Sequence, residues 1–334
     1  FQFDFIYFTN KKCDYDDEIE NLGGKIYRVL AKNPIHRMNE LTVLLKQNPQ
    51  WEIVHAHTLL SIGFHLLAAK RAGVKKRIAH AHSTNDGKKS LLGKLYKFLS
   101  LRLLAHYATN YIACGKAAGD FLFPNQKDIQ IIPNSIDIRM FAEVSDTGKM
   151  DLRNEFQLIK DTLILIQLGR LIDVKNHVFT LAIAQELKDL NVKFKLFFAG
   201  QGDLKEDLEQ QVKEKGLEQD IIFLGLRTDI PELLAGSDLM LMPSLYEGFP
   251  VVLVESQAAG IPALIADTIS PEVDLGTDLV YFESLESSAA IWVQRIQQIL
   301  ELKRMNSKER LEKLQQAGFD IYTNAKRLEE LYTQ

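Results

Sequence analysis

Two glutamates, Glu247 and Glu255, lie eight residues apart in a setting that suits a bound polar ligand. An apolar run at 238–243 predicts a strand, and a loop containing Glu247 follows it. Pro250 predicts the first turn of a helix, because a missing N–H costs least there. Free amides in that turn would face an anion. Each acid alone could equally be an ordinary surface charge, but a glycine loop at the carboxyl end of a strand favours a site.

Basic residues follow a second predicted strand, at 163–168. Gly169 ends the strand, and Arg170 and Lys175 come directly after it. The planar fork of arginine and the point charge of lysine can converge on one diphosphate. A solvated basic pair is the alternative, and for such residues in isolation it is the commoner outcome.

Two further turns carry weaker signals. Gly200 and Gly202 follow a strand at 193–199, where glycine lets a ligand approach the backbone, although most such turns only begin a helix. The segment Pro133–Asp137 is a turn by composition and could serve as a hinge or as a ligand contact.

Histidines stand on two predicted strands in the first half of the chain. Strand alternation places His80 and His82 on one side of a strand, with His82 nearer its tip. They could suggest a metal, but the sequence shows no third ligand near them and no HExxH spacing, so we predict no metal. His55 and His57 repeat the pattern on a neighbouring strand and are interpreted as mainly structural.

Strand-like and helix-like runs alternate along the chain, which predicts an α/β fold with parallel sheets covered on both faces. The polar segment 136–158 interrupts the alternation and is predicted to be a linker. We therefore predict two Rossmann-like domains, residues 1–145 and 146–312, and a helical tail, 313–334, that could return to the first domain. Predicted strands include 3–9, 25–29, 53–57, 77–82, 110–114, 130–133, 163–168, 193–199, 221–223, 239–242, 262–266 and 279–282.

Composition narrows the class of protein. The chain has 334 residues, a net charge of −4 and two isolated cysteines. The charge argues against a nucleic-acid binder, and the cysteines suggest neither a disulfide framework nor a metal cluster. The apolar runs are too short to span a membrane. A cytoplasmic protein of two domains is the simplest interpretation.

Together these segments resemble the retaining glycosyltransferases of family 4, which have the GT-B fold of two Rossmann-like domains facing across a cleft. The resemblance covers nearly the whole chain, and its most specific part is the pair of glutamates separated by seven residues. Within the family, the sequence is similar to bacterial capsule and exopolysaccharide transferases. Gly169, Arg170, Lys175, the Gly200–Asp203 turn and the Pro133–Asp137 turn match in order and spacing.

The resemblance implies a donor site for a nucleotide sugar in the second domain and an acceptor side in the first. Arg170 and Lys175 would hold the diphosphate, Glu247 the donor sugar, and Glu255 the ribose. His82 would lie by the transferred sugar, and residues near Arg227 would flank the base. Backbone contacts would come from a set of residues that comprises Gly169, Gly200, Gly202, Gly248, Phe249, Pro250 and Val251. No metal or other cofactor is implied, and UDP is favoured by its frequency in the family.

The resemblance departs at the start of the chain. Family members have a glycine-rich loop after their first strand, and none follows the first predicted strand here. We expect the first domain to lack one βα unit of roughly 30 residues.

Basic residues are concentrated between Lys70 and Tyr107, where ten lysines and arginines accompany one acid. The predicted helix 90–108 within this segment combines leucines with cations and suits an anionic membrane surface that carries a lipid-linked acceptor. A helix with one buried and one solvated face is the alternative. Three other classes of protein remain open: a nucleotide-sugar epimerase of the same fold, a non-catalytic donor-binding subunit, and a Rossmann dehydrogenase.

Overall fold

The computed structural model describes residues 1–83, 90–147 and 152–334, and it divides into two compact units. The first unit comprises Phe1–Pro133 and Ala325–Gln334, and the second comprises Asn134–Asn324. Within the described ranges, no helix combines the length and the apolar character that crossing a membrane requires.

The first unit contains two parallel sheets, one of β1 and β2 and one in the order β3-β4-β5-β6. Its elements, in chain order, are β1 (Phe5–Tyr7), α1 (Asp16–Asn21), β2 (Ile26–Arg28), α2 (Pro34–Gln47), β3 (Ile53–Ala56), α3 (Ile62–Arg71), β4 (Lys76–Ala81), α4 (Leu91–Tyr107), β5 (Asn110–Ala113), α5 (Lys116–Leu122) and β6 (Ile129–Ile131).

Local residue choices explain two of these helices. Asn33 caps α2 by accepting hydrogen bonds from the amides of Ile35 and His36, with Pro34 at the first helical position. Helix α4 packs closely on α3 at Gly63. A Cβ added at Gly63 would stand 2.2 Å from the carbonyl oxygen of Ser100. Only a glycine at position 63 permits this approach, which fixes one face of α4 against the unit.

The C-terminal helix, α14 (Ile321–Thr333), contributes its residues from Ala325 onward to the first unit. Lys76 Nζ donates a hydrogen bond of 2.6 Å to the carbonyl oxygen of Leu331 near the end of this helix. The Leu331 side chain is buried in a cluster with Ile78 and Ile112 of the sheet. The chain end therefore covers part of the four-stranded sheet.

The second unit is built around one parallel sheet of six strands in the order β12-β11-β10-β7-β8-β9. Its elements, in chain order, are α6 (Ile138–Thr147), α7 (Leu152–Glu155), β7 (Leu163–Leu168), α8 (His177–Asp189), β8 (Phe194–Ala199), α9 (Lys205–Glu214), β9 (Ile221–Gly225), α10 (Ile230–Ala235), β10 (Leu239–Met242), α11 (Val251–Ala259), β11 (Ala263–Ala266), β12 (Val280–Glu283), α12 (Ala289–Leu300) and α13 (Ser307–Gln316).

Both faces of this sheet are buried. In β7, Ile164 and Ile166 belong to the core beneath α6, α10, α11 and α13, whereas Leu165 belongs to the opposite core beneath α8, α9 and α12. Successive strand residues point to opposite faces, so a strand covered on both sides is a continuous apolar run. The predicted doubly covered parallel sheet is confirmed for this unit.

The segment 136–158, interpreted from the sequence as a linker, behaves differently in its described part. Helix α6 lies within it, and Ile138, Phe141 and Leu152 are buried in the core of the second unit. The division between the units falls instead at Pro133 and Asn134. The predicted linker residues 148–151 lie outside the described residues.

Candidate functional site

The carboxyl ends of β7 and β10 form the topological switch point of the second sheet. β8 lies on one side of β7 and β10 on the other, so the chain leaves this point in opposite directions. Ligands of doubly wound sheets bind in the crevice at such a point. The loops 169–176 and 243–250 follow these two strands and contain Arg170, Lys175 and Glu247.

Lys175 and Glu247 meet between these two loops. Lys175 Nζ lies 2.7 Å from Glu247 Oε1, and the two side chains are only 16% and 13% exposed. Oε1 is buried, and among the described residues it has this ion pair but no hydrogen bond of ordinary geometry. A partly exposed carboxylate that still has lone pairs without a partner is suited to accept hydrogen bonds from hydroxyl groups of a ligand.

Gln167 and Thr180, which no sequence pattern indicated as functional, position Lys175. Gln167 Nε2 donates a hydrogen bond of 2.8 Å to the carbonyl oxygen of Lys175, and Thr180 Oγ1 donates one of 2.7 Å to Gln167 Oε1. Gln167 is only 2% exposed. A buried amide in the otherwise apolar strand β7 was the available signal, since such groups require partners.

Asn176 joins the same two loops and was also missed. It adopts a left-handed conformation with φ of 53°, and its Nδ2 donates a 3.0 Å hydrogen bond to the carbonyl oxygen of Pro243. The amide of Leu245 donates to the carbonyl oxygen of Val174 at 2.8 Å. These bonds keep the loop of Lys175 and the loop of Glu247 in contact.

Two of the predicted glycines are required by the packing of the chain. At Gly200, with φ of +151°, a Cβ would stand 1.9 Å from the carbonyl oxygen of Gly169. At Gly202 a Cβ would stand 2.2 Å from the carbonyl oxygen of Leu171. The loops after β7 and β8 therefore touch through their backbones, and any contact of these glycines with a ligand stays a prediction.

Gly248 differs from these two glycines. No atom lies within 4 Å of the Cβ that would be added there, and its φ is not in the left-handed region. The packing of the chain gives no reason for glycine at position 248. Open space at the residue after Glu247 is what the approach of a ligand to the backbone would require.

The next residues begin helix α11. Pro250 is its N-cap and offers no side-chain hydrogen bond, so the amides of Val251 and Val252 have no acceptor within the helix. Phe249 is held by stacking on Phe319, with ring centroids 5.2 Å apart. The positive end of α11 therefore begins four residues after Glu247. Free amides at such a helix end are what an anion site requires.

Glu255 is the fifth residue of α11. Burial raises the pKa of its carboxyl to about 7. A raised pKa means that the surroundings disfavour the charged form, so a bound group that donates hydrogen bonds to the carboxylate would relieve that cost.

The two predicted arginines differ in their contacts. Arg170 is exposed, and in the described part of the chain it forms no ion pair. Arg227 Nε donates to Asp229 Oδ1 at 2.7 Å, and its Nη1 donates to Glu155 Oε1 at 3.1 Å. Arg227 is thus anchored between two carboxylates, and its neighbour Leu226 is 72% exposed.

His82 belongs to a group of four histidines in the first unit. His57 Nδ1 lies 2.8 Å from His82 Nε2, and His55 Nε2 lies 3.1 Å from His80 Nδ1. Burial is the main cause that lowers the pKa of His55 to about 3 and that of His80 to about 2. The prediction that no third potential ligand lies near His80 and His82 is wrong, because the register of β3 and β4 brings His55 and His57 beside them.

Comparisons with known proteins show the family of the chain. The family profile of Glycosyl transferases group 1 matches residues 149–318, and that of Glycosyltransferase Family 4 matches residues 12–139. The putative glycosyltransferase EpsF of Bacillus subtilis (strain 168) is 36% identical over 99% of this chain and 88% of its own length. The capsular polysaccharide biosynthesis glycosyltransferase CapH of Staphylococcus aureus is 26% identical over 99% and 90%.

A solved structure shows the same fold. The crystal structure of Anabaena HepE in complex with UDP has a TM-score of 0.75 to this chain, covers 99% of both chains and is 17% identical. The chain belongs to the group 1 glycosyl transferases, and it is a glycosyltransferase with two Rossmann-like units of the GT-B type. The predicted family and fold class are confirmed, and the dehydrogenase alternative is rejected.

Proposed function

We propose that this protein transfers a hexose, with retention of configuration, from a UDP-sugar to a glycan or lipid-linked acceptor in capsule or exopolysaccharide synthesis. The Lys175–Glu247 pair at the switch point, beside the open backbone of Gly248, is the observation that carries the proposal. The name of CapH supports the process, and the UDP in the HepE crystals supports the nucleotide.

Each group of the site has a chemical task in this reaction. Lys175, Arg170 and the amides of Val251 and Val252 supply positive potential for the diphosphate, so the proposed donor site uses no metal. The Glu247 carboxylate accepts hydrogen bonds from hydroxyl groups of the sugar. The Glu255 carboxylate accepts hydrogen bonds from hydroxyl groups of the ribose. His82 and Arg227 stay candidates on the resemblance alone.

The proposed step is a substitution on one face of the sugar. The bond between the anomeric carbon and the diphosphate oxygen breaks, the acceptor oxygen bonds to the same face, and the acceptor proton passes to the departing phosphate oxygen. Charge grows on the leaving diphosphate as the bond breaks. Cations fixed beside it therefore stabilise the transition state more than the ground state.

A panel of nucleotide sugars tests the donor proposal. We expect UDP-sugars to raise the unfolding temperature of the protein, because a ligand that binds only the native state stabilises it. The Lys175→Ala variant should lose most of this shift. Lys205→Ala, which removes an exposed lysine paired with Glu209 at 3.4 Å, should keep it. Equal shifts in both variants, or none with any nucleotide sugar, would contradict the proposal.

Product analysis separates transfer from the two remaining alternatives. A transferase releases UDP and forms a glycoside only when acceptor is present. An epimerase changes the sugar of the donor without acceptor, and an accessory subunit binds the donor without forming either product.

The affinity for a UDP-sugar should depend on pH through Glu255. Its carboxyl is charged for about one tenth of the molecules at pH 6 and nine tenths at pH 8, because the pKa is raised to about 7. If the ribose hydroxyl groups bind the carboxylate, affinity should rise by about tenfold from pH 6 to pH 8. Calorimetric titration across this range measures it, with a UDP-sugar used because its diphosphate does not titrate there.

Glu255→Gln is the control, since an amide does not titrate, and its affinity should be flat over the same range. A slope that persists in this variant would remove Glu255 from the ribose site. The raised pKa of Glu255 also affects the stability of the unliganded protein, with the opposite dependence on pH. Its contribution to the free energy of unfolding is fully present below 4.5, the pKa in the unfolded chain, and is lost as pH rises through about 7.

Helix α4 supports a second part of the proposal, docking on the anionic inner face of the cell membrane. Leu91 and Leu92 are 84% and 81% exposed, and Leu95, Phe98 and Leu99 continue this apolar face. The cations Lys94 and Arg102 are exposed on the same helix. An apolar face flanked by cations suits the boundary of anionic headgroups and acyl chains. The basic residues at 84–89 lie outside the described residues.

Vesicle flotation tests this docking. We expect the protein to bind vesicles containing anionic lipid, and binding to fall at high salt because exposed charges are screened. Leu91→Ser together with Leu92→Ser should abolish most of the binding, whereas Leu190→Ser with Leu302→Ser, at two exposed leucines of the second unit, should not. Binding that does not depend on anionic lipid would reject the membrane proposal.

A further inference from the structure

At the carboxyl ends of β3 and β4, four imidazoles lie on one face of the four-stranded sheet of the first unit. His55 and His57 are two residues apart, as are His80 and His82, and the register aligns Ala56 with Ala79. Position 57 is therefore opposite position 80, and the side chains share a face because strand residues alternate. The ring centroids of His80 and His82 are only 4.0 Å apart.

We propose that His55, His57 and His80 bind one divalent transition-metal ion, of the class of Zn²⁺, Co²⁺, Ni²⁺ or Cu²⁺. Each offers a ring nitrogen, and these three nitrogens lie within 4.8 Å of one another. A tetrahedral ion with bonds of about 2.0–2.1 Å needs nitrogens roughly 3.4 Å apart. Small rotations of the rings therefore suffice to complete the site.

The hydrogen bonds around the cluster leave ring nitrogens available for a metal. His80 is buried, and its Nε2 has no hydrogen-bond partner in the described part of the chain. The Nδ1 of the same ring faces His55 Nε2, so a metal bound between these two nitrogens would break no other side-chain hydrogen bond of His80. Rings that meet nitrogen to nitrogen, as His55 and His80 do at 3.1 Å, are also oriented as two ligands of one ion would be.

Tyr332 supplies the outer contact that metal-binding histidines usually have. Its hydroxyl lies 2.6 Å from His55 Nδ1, which fixes the orientation of that ring and leaves Nε2 directed at His80. Such partners determine which nitrogen of a ligand ring is free to bind. Tyr332 is in the part of the C-terminal helix that belongs to the first unit, so the metal would link that chain end to the sheet through His55.

Exposure and donor type define which ion the site would take. His57 and His82 are exposed, so an ion can enter from solvent, and water would supply its fourth ligand. The three ligands are all imidazole nitrogens, which suit zinc, copper and nickel, whereas magnesium and calcium prefer oxygen. The site is formed by residues of the first unit, whereas the residues of the proposed donor site belong to the second.

Cobalt binding to the full chain, after treatment with a chelator, tests this proposal. We expect one Co²⁺ per chain with the visible absorption of a four-coordinate nitrogen site, displaced by Zn²⁺ and unaffected by excess Mg²⁺. His57→Gln, at an exposed residue, should weaken binding at least tenfold. His80→Gln should do the same, with circular dichroism to check folding.

Two exposed histidines of the same unit, His36 and His106, provide the control. The variant His36→Gln with His106→Gln should bind Co²⁺ as the parent does. The proposal is overturned if the parent binds no Co²⁺ at millimolar concentration. It is equally overturned if binding survives unchanged in the folded His57→Gln variant, or if only the control variant loses it.

Discussion

The Lys175→Ala enzyme is expected to transfer sugar about 10²–10³ times more slowly than the parent, as measured by kcat/KM for the UDP-sugar. Lys175 is largely enclosed, so its charge acts in surroundings that screen it poorly. Removing it also leaves the Glu247 carboxylate partly buried without its ion pair, which adds to the loss. The Lys205→Ala variant should retain the parent rate.

The effect of Glu247 should differ in kind from that of Lys175. A Glu247→Ala variant is expected to keep its affinity for UDP and lose its discrimination among UDP-sugars, because Glu247 is assigned to the sugar hydroxyls. Measuring UDP affinity beside kcat/KM for two epimeric donors separates the two roles. Unchanged discrimination would remove Glu247 from its assigned role, and a parent rate in Lys175→Ala would remove Lys175.

Substitution of Gly200 by alanine is expected to destabilise the second unit by about 3 kcal/mol. The added Cβ would stand 1.9 Å from the carbonyl oxygen of Gly169, and this neighbour is backbone that cannot rotate away. The loops after β7 and β8 would have to separate, which would also displace Lys175. Urea unfolding followed by circular dichroism measures the change in the free energy of unfolding.

Gly225→Ala is the matched control for this stability prediction. Gly225 also has a positive φ, +67°, in the same unit, but no atom lies within 4 Å of a Cβ added there. It should cost only the left-handed conformation, about 1–2 kcal/mol. If Gly200→Ala is no more destabilising than Gly225→Ala, the contact between the two loops is not what requires glycine at position 200.

Sequence periodicity located most of the secondary structure. Helix α2, Pro34–Gln47, begins where proline and the asparagine before it mark the start of a helix. The strands of the second unit were found because buried parallel strands are continuous apolar runs. Segment 136–158 was interpreted wrongly as a linker. Helix α6 buries Ile138 and Phe141 on one face and has polar residues on the other, so the average polarity of the segment resembles that of a linker.

The sequence by itself determined the family, the alternation of strands and helices, and the residues Lys175 and Glu247, because each rests on neighbours along the chain. Only the tertiary structure decided what depends on register and topology. It placed Lys175 and Glu247 2.7 Å apart across two loops, showed Gln167 and Thr180 behind them, and brought four histidines together. Strand alternation assigns a residue to a face, but which residue of another strand lies beside it depends on pairing between distant segments.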